Sequence, residues 1–230
     1  MALKLIDLSI ELYQGMTTFP MHQPVFIMRN MTYEENMKAT GSKTLGFSAR
    51  NILMSEHSGT HTDAINEYKP GAPTLSEMSL DYFWGSAICV DLSHIRFPAF
   101  SRPDDLKRAV AKSGQEIRKG DKFLMYTGHY DREFGTDRWQ TEYTGLSYEA
   151  GRWLAEQGVV NVGVDAPAID QSVDIDFSGH RSLGEYNVTN TENLCNLDKL
   201  VGKRFLYFGL PLPIRDGSGS PIRAIALVDE

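Results

Sequence analysis

Residues 57–67 read His57-Ser58-Gly59-Thr60-His61-Thr62-Asp63-Ala64-Ile65-Asn66-Glu67, and this stretch organises the rest of the chain. It gathers two of the six histidines and two carboxylates within eleven residues, with a glycine where the backbone can bend. Imidazole with carboxylate suits zinc, manganese or ferrous iron, whereas all-oxygen donor sets suit calcium and magnesium. No cysteine lies in the stretch, which argues against a closed structural zinc site. In an extended segment side chains alternate, so His57, Gly59, His61 and Asp63 share one face. On a helix Asp63 would swing away from His61. The spacing therefore places three donors at the end of a strand, curling over an open site. Spacing alone leaves two readings open: a metal cradle, or solvated and hydrogen-bonded histidines in a polar loop.

The 230-residue length suits one large domain. A net charge of -7 disfavours nucleic acid as a partner, since phosphate binding needs clustered Lys and Arg. Cys89 and Cys195 sit in apolar or mixed segments without paired spacing, as buried reduced thiols of a cytoplasmic protein would. Met1 to Ser9 lacks the apolar stretch of a signal peptide, and no apolar run approaches the ~20 residues that cross a bilayer, so no membrane partner is expected.

Strands are expected over Leu3–Ile10 and Pro24–Arg29, with the loop Tyr13–His22 carrying Phe19 as either a hydrophobic plug or an aromatic wall for a substrate. Leu45–Met54 alternates and runs into the cradle, and Ser86–Leu92 is apolar. Pro103–Ser113 reads as a helix stopped by Gly114. Ser147 caps a second helix that ends at Gly158. Lys122–Tyr126 and Val159–Asp165 read as buried strands, Arg204–Leu210 and Ile222–Asp229 as closing strands. The loop Thr127–Thr144 is long enough to suggest a lid or a subunit contact. From Asp165 to Glu192 the chain reads as polar loop. His22, His94 and His129 have no matching partners and read as ordinary residues. The first third is nearly all strand and the middle alternates helix with strand, which gives an α/β or mixed class with more sheet than helix.

The pattern His-x-Gly-Thr-His-x-Asp at 57–63 resembles that of the cyclase-like metal hydrolases, which include bacterial kynurenine formamidases, isatin hydrolases and trans-dienelactone hydrolases. A His and a Glu twelve positions apart follow in that family, and His180 and Glu192 have this spacing. Asp7-Leu8-Ser9 with Phe19-Pro20, Tyr126-Thr127-Gly128, Val162 to Asp165 with Asp170, and Pro211 to Ala224 are also similar to family segments. The resemblance implies a single α/β domain over 1–230 with a β-rich swivelling β/β/α core, assembled as a homodimer or tetramer. It implies one or two Zn2+ or Mn2+ ions held by His57, His61, Asp63, His180 and Glu192, with Phe19 against the substrate. The family pattern continues to a Pro and a His where this chain has Ile65 and Glu67, so Glu67 takes the acid/base post or becomes a metal ligand. The reaction expected is attack of a metal-activated water on an amide, lactam or lactone carbonyl of a small planar or aromatic substrate. Tyr68 and Trp84 are the other aromatic candidates for its pocket. A binding protein that kept the metal and lost the proton shuttle is the alternative, and a non-haem iron oxygenase shares the two-His, one-carboxylate donor set.

Overall fold

The computed structural model describes residues 3–229. Met1, Ala2 and Glu230, the ends of the expected domain, lie outside the described residues. Eleven strands and five α-helices are described: β1 (Leu3–Asp7), β2 (Phe26–Met31), α1 (Tyr33–Thr40), β3 (Ala49–Leu53), β4 (His61–Asp63), β5 (Trp84–Asp91), α2 (Pro103–Ser113), β6 (Lys122–Tyr126), α3 (His129–Glu133), α4 (Tyr148–Glu156), β7 (Asn161–Val164), α5 (Ser178–Glu185), β8 (Thr189–Glu192), β9 (Arg204–Phe208), β10 (Gly219–Pro221) and β11 (Ile225–Asp229). The fold class is α/β. Nine strands form one mixed sheet in the order β1-β11-β9-β5-β6-β7-β8-β4-β10, and β2 pairs with β3 in a separate ribbon.

The middle of the sheet, β5-β6-β7-β8, is parallel, and its crossovers run through α2, through α3 and α4, and through α5. Parallel strands covered on both faces read as unbroken apolar runs. Ile88, Val90, Phe123, Met125, Val162 and Val164 face α2, α4 and α5, where Leu106, Ala109, Ala150, Leu154 and Leu183 complete one core. The alternate residues Ala87, Cys89 and Leu124 turn to the opposite face and meet Leu8, Leu194, Leu197 and Tyr207. Antiparallel strands finish the sheet at both ends, and β4 is held there between β8 and β10.

Local signals account for the elements that match expectation. Pro103 opens α2 and Gly114, at φ 68°, closes it; Ser147 Oγ accepts from the Ala150 amide at 3.3 Å to start α4. Three expectations are corrected. The first third contains α1, announced by a Thr32–Glu35 capping box in which each side chain bonds the other residue's backbone amide. The segment from Asp165 to Glu192 is not loop throughout, because α5 and β8 form inside it. The segment 127–144 is not loop throughout: it begins with α3, and part of it packs inward, with His129 stacked on Trp139 at 5.0 Å and Tyr143 buried beside them.

The α4–α5 contact is close because α4 carries Gly151, where an added Cβ would overlap the Ser182 side chain of α5. Overpacking of this kind costs roughly 1–3 kcal/mol. Gly151→Ala is expected to lower the unfolding free energy by about that amount in urea denaturation, and an unchanged midpoint would count against the close approach.

Candidate metal centre

Pairing of two distant strands builds the site. In β4, His61 and Asp63 share a face by the two-residue period, while Thr62 turns to the other. β8 runs antiparallel beside β4 with Glu192 opposite His61 and Thr191 opposite Thr62. Glu192 and Asn190 therefore join the face of His61 and Asp63. The opposite side is locked by Thr62 Oγ1 donating to the Asn190 carbonyl at 2.8 Å and Thr189 Oγ1 donating to the Asp63 carbonyl.

His57 comes in from the turn before β4. The chain bends at Gly59, whose φ of 66° and contact with Leu12 exclude a side chain. His57 is thus not on the extended face that the spacing suggested; it approaches the same acids from a turn, with Nδ1 2.9 Å from Asp63 Oδ1. His180 arrives from α5, not from a loop. Asp170 holds it there, accepting from the His180 amide at 3.0 Å through Oδ1 and facing Nδ1 at 2.5 Å through Oδ2.

The donors converge. His61 Nε2 lies 3.4 Å from both Asp63 Oδ1 and Glu192 Oε2. His180 Nε2 lies 3.6 Å from Asp63 Oδ2 and 3.3 Å from Glu192 Oε1. Two triads result, His57-His61-Asp63 and Asp63-His180-Glu192, each with donor atoms within 4.8 Å of one another. All five residues drawn from the sequence thus meet at one place, with Asp63 in both triads. Three imidazoles and two buried carboxylates are a donor set that fits zinc or manganese.

Electrostatics support the fit. Burial opposes charge on His57, yet the bond to Asp63 and the charges of Asp63 and Glu67 outweigh it and raise His57 to about 9. Burial likewise opposes the ionised form of Asp63, but the charge of His61 and the bonds from His180 and His57 hold it well below the usual carboxylate range. His180, against its burial, is raised by Asp170. Asp63 keeps its charge by drawing protons onto His57 and His180, and a divalent cation can take the place of those protons.

Glu67 sits on a short 3-10 turn, Ile65–Glu67, directly after β4. The residue as a whole is exposed, but only 29% of its side chain is open, and Oε1 lies 3.5 Å from His57 Nδ1. Burial and the Asp63 charge push its carboxyl well above the usual range. A cavity of about 500 Å³ opens over these groups, walled by Phe19, Tyr68, Tyr143 and Phe177. Tyr68 does line the cavity, its ring 5.2 Å from His180. Trp84 does not, and stacks instead on Phe208 at 6.0 Å on the first strand of the parallel core.

His22 is not an ordinary residue, because it lines the cavity with its ring 5.3 Å from His57. Tyr143 and Asp170 were also not assigned to the site. Only Asp170 had a signal in the sequence, as part of the family-like Val162–Asp170 segment.

Because His57 carries a proton near neutral pH, adding zinc to the cation-free protein should release about one proton or more. Calorimetric enthalpies measured in phosphate and in Tris should then differ by the buffers' ionisation heats. Equal enthalpies would contradict the protonated cluster.

Comparison with known proteins agrees with this geometry. The Cyclase family model matches residues 6–171, which include His57, His61, Asp63, Glu67 and Asp170. The kynurenine formamidase of Erythrobacter litoralis is 31% identical over 174 residues, 76% of this chain and 74% of that protein. That of Bordetella petrii is 25% identical over 222 residues, covering 96% of this chain and 97% of its own. Isatin hydrolase A from Labrenzia aggregata superposes with a TM-score of 0.86 at 23% identity, over 99% of this chain and 94% of that one. Isatin hydrolase A from Ralstonia solanacearum gives 0.85 at 25% identity, over 99% and 92%. With a family model spanning most of its length and a relative of this identity, the chain belongs to the Cyclase family.

Proposed function

We propose that the protein is a metal-dependent hydrolase that cleaves the C–N bond of a small aromatic amide or lactam. His57, His61, Asp63, His180 and Glu192 hold one or two Zn2+ or Mn2+ ions in this reading, and Glu67 handles the proton. The observation that carries it is the pair of donor triads sharing Asp63 at the floor of an aromatic cavity. The named relatives, kynurenine formamidases and isatin hydrolases, support C–N cleavage over a lactone ester.

A bound divalent cation supplies Lewis acidity and an activated water near neutral pH. The chain's own residues do the rest. Phe19, Tyr68, Tyr143 and Phe177 hold a planar substrate, whose ring gains by stacking and burial. An amine leaves an acyl carbon only when its nitrogen is protonated, and the Glu67 carboxyl is the proton carrier placed for this. Burial and Asp63 favour its protonated form, whereas a nearby cation favours the ionised one, and the two opposing effects keep it titratable. Asp170 orients His180, and His22, with Phe19 beyond it, packs against His57 at the cavity wall.

Residues 1–230 act as one cyclase-like domain in this reading, and the protein works in the cytoplasm. Both cysteines are free and buried, as in a reducing compartment. Among the described residues no helix is long and apolar enough to cross a membrane. Its oligomer is a homodimer clasped through residues 26–53. α1 buries none of its residues, and β3 is exposed along its whole length. Phe26, Met28, Tyr33, Leu45, Phe47, Ile52 and Leu53 are each 40–64% exposed. Seven such side chains offer on the order of 700 Å², close to the ~800 Å² per partner of a stable interface. The segment carries four basic and two acidic residues on a chain whose total is -7, so its charge is complementary to the remainder of a second copy.

Two experiments test these readings. Glu67→Gln should retain bound metal yet lose about 10²–10⁴-fold in kcat on N-formyl aryl amines or isatin, with turnover by the parent enzyme abolished by chelation and unchanged without oxygen. Turnover that survives chelation, or needs oxygen, would refute the hydrolase reading, and a variant that keeps full activity would remove Glu67 from it. In sedimentation, the parent chain should run as a dimer and the Phe47→Asp, Ile52→Asp double variant as a folded monomer; a monomeric parent overturns the clasp.

A further inference from the structure

Three histidines enter the donor cluster, and each has its second ring nitrogen occupied by a different kind of partner. His61 Nδ1 faces the Gly59 carbonyl at 2.9 Å. His180 Nδ1 faces the Asp170 carboxylate at 2.5 Å. Carbonyl and ionised carboxylate oxygens only accept, so both Nδ1 atoms carry the proton and both rings offer Nε2 to the donor cluster.

His57 is turned the other way round. Its Nδ1 faces Asp63, and its Nε2 faces the Ser218 hydroxyl at 2.9 Å. A hydroxyl can donate or accept, so this contact alone leaves the ring's proton unassigned. Glu56 decides it. Ser218 Oγ donates to Glu56 Oε1 at 2.5 Å, and the Ser218 amide donates to the same oxygen at 3.1 Å. The hydroxyl has one proton, and that proton is committed to Glu56. Toward His57 the oxygen only accepts, so Nε2 must donate.

The turn around Ser218 is shaped to this contact. A Cβ on Gly219 would lie 2.5 Å from His57 Cε1, and one on Gly217 would lie 3.2 Å from Glu56 Oε2. Backbone thus passes close to the His57 ring on one side of Ser218 and near the Glu56 carboxylate on the other. The turn is fixed in place because β10, which begins at Gly219, pairs Gly219 with Asp63 and Ser220 with Thr62. One strand pairing positions both the donor carboxylate and the hydroxyl that sets its neighbouring imidazole.

We infer that Glu56 and Ser218 are positioning residues that hold His57 as the Nε2-protonated ring, so that His57 offers Nδ1 to a cation while His61 and His180 offer Nε2. This rests on the metal-dependent reading above. Outer partners of this kind typically change metal affinity 10–100-fold when removed, because the ring loses both its orientation and its tautomer.

The test uses the full-length protein. With nitrogen-labelled histidine and bound magnetic cadmium, coupling to the metal is expected at His57 Nδ1 and at His61 and His180 Nε2, with a protonated His57 Nε2. Ser218→Ala should bind zinc about 10–100-fold more weakly in competition with a chromophoric chelator, Ser218→Thr should restore binding, and Glu56→Leu should weaken it as Ser218→Ala does. Coupling at His57 Nε2 overturns the assignment even if Ser218→Ala fails to fold. A folded Ser218→Ala that binds zinc as tightly as the parent overturns the role of the hydroxyl. A parent protein that binds neither zinc nor cadmium sinks the metal reading and this inference together, whereas tight parent binding with Nε2 coupling sinks only the latter.

Discussion

Two buried carboxylates on one face of a short strand pair set the terms for everything near them. Asp63 and Glu192 are 1% and 5% exposed, and the register of β4 with β8 gives them no room to move apart. Buried acids of like charge are costly unless opposite charge is supplied locally. The fold supplies it as imidazoles from three directions: the turn before β4, β4 itself and α5. Asn190, between the two acids, donates to Asp63 Oδ2 at 2.6 Å and to Glu192 Oε1 at 3.0 Å. The Ile169 amide donates to Glu192 as well, at 2.8 Å. Each of these groups is ordinary by itself, and its position makes sense only as an answer to the paired acids.

The same ladder explains why the layer beneath the acids is polar. Thr62 and Thr191 turn away from the donors into a fully buried space, where Thr191 Oγ1 donates to Asn161 Oδ1 at 3.2 Å and Tyr207 donates to Thr191 at 3.3 Å. A β-strand with donors on one face must send its alternate residues into the core. Hydroxyls there satisfy carbonyls across the ladder and fix its register more tightly than apolar groups would. Structural precision at the site is therefore set from behind it.

Much of this was legible in the sequence, for physical reasons that can be named. The period-two spacing of His61 and Asp63 survives in the structure because β4 is a true strand. The caps of α2 and α4 are local chemistry, and local chemistry is what a sequence displays. The twelve-residue interval between His180 and Glu192 was readable only through resemblance to a family, because no local pattern links a helix residue to a strand residue across a turn. His57 was misplaced by the same logic that placed His61, since the period-two rule fails where Gly59 reverses the chain. α5 was missed because it starts from Phe177 in the left-handed region without a side-chain cap, and its interior holds Gly179 and Gly184. Glu56 had no signal at all, and Ser218 and His22 had none beyond lying in the segments 211–224 and 13–22: all three matter through contacts across the fold.

The strand pairing that assembles the donors also has a consequence for how the chain reaches its native state. Thr62 and Asn190, bonded across the ladder, are 128 residues apart in sequence. Closing so long a loop costs little more free energy than closing one half its length, but contacts this remote form slowly compared with hairpins and helix turns. The parallel core and its covering helices can gather part of their contacts earlier. The full donor set cannot, since residues 57–63 supply only one of its two triads and the other needs His180 and Glu192. A nascent or partly unfolded chain has no such pocket to offer, and tight capture of an ion marks the molecules whose assembly is complete.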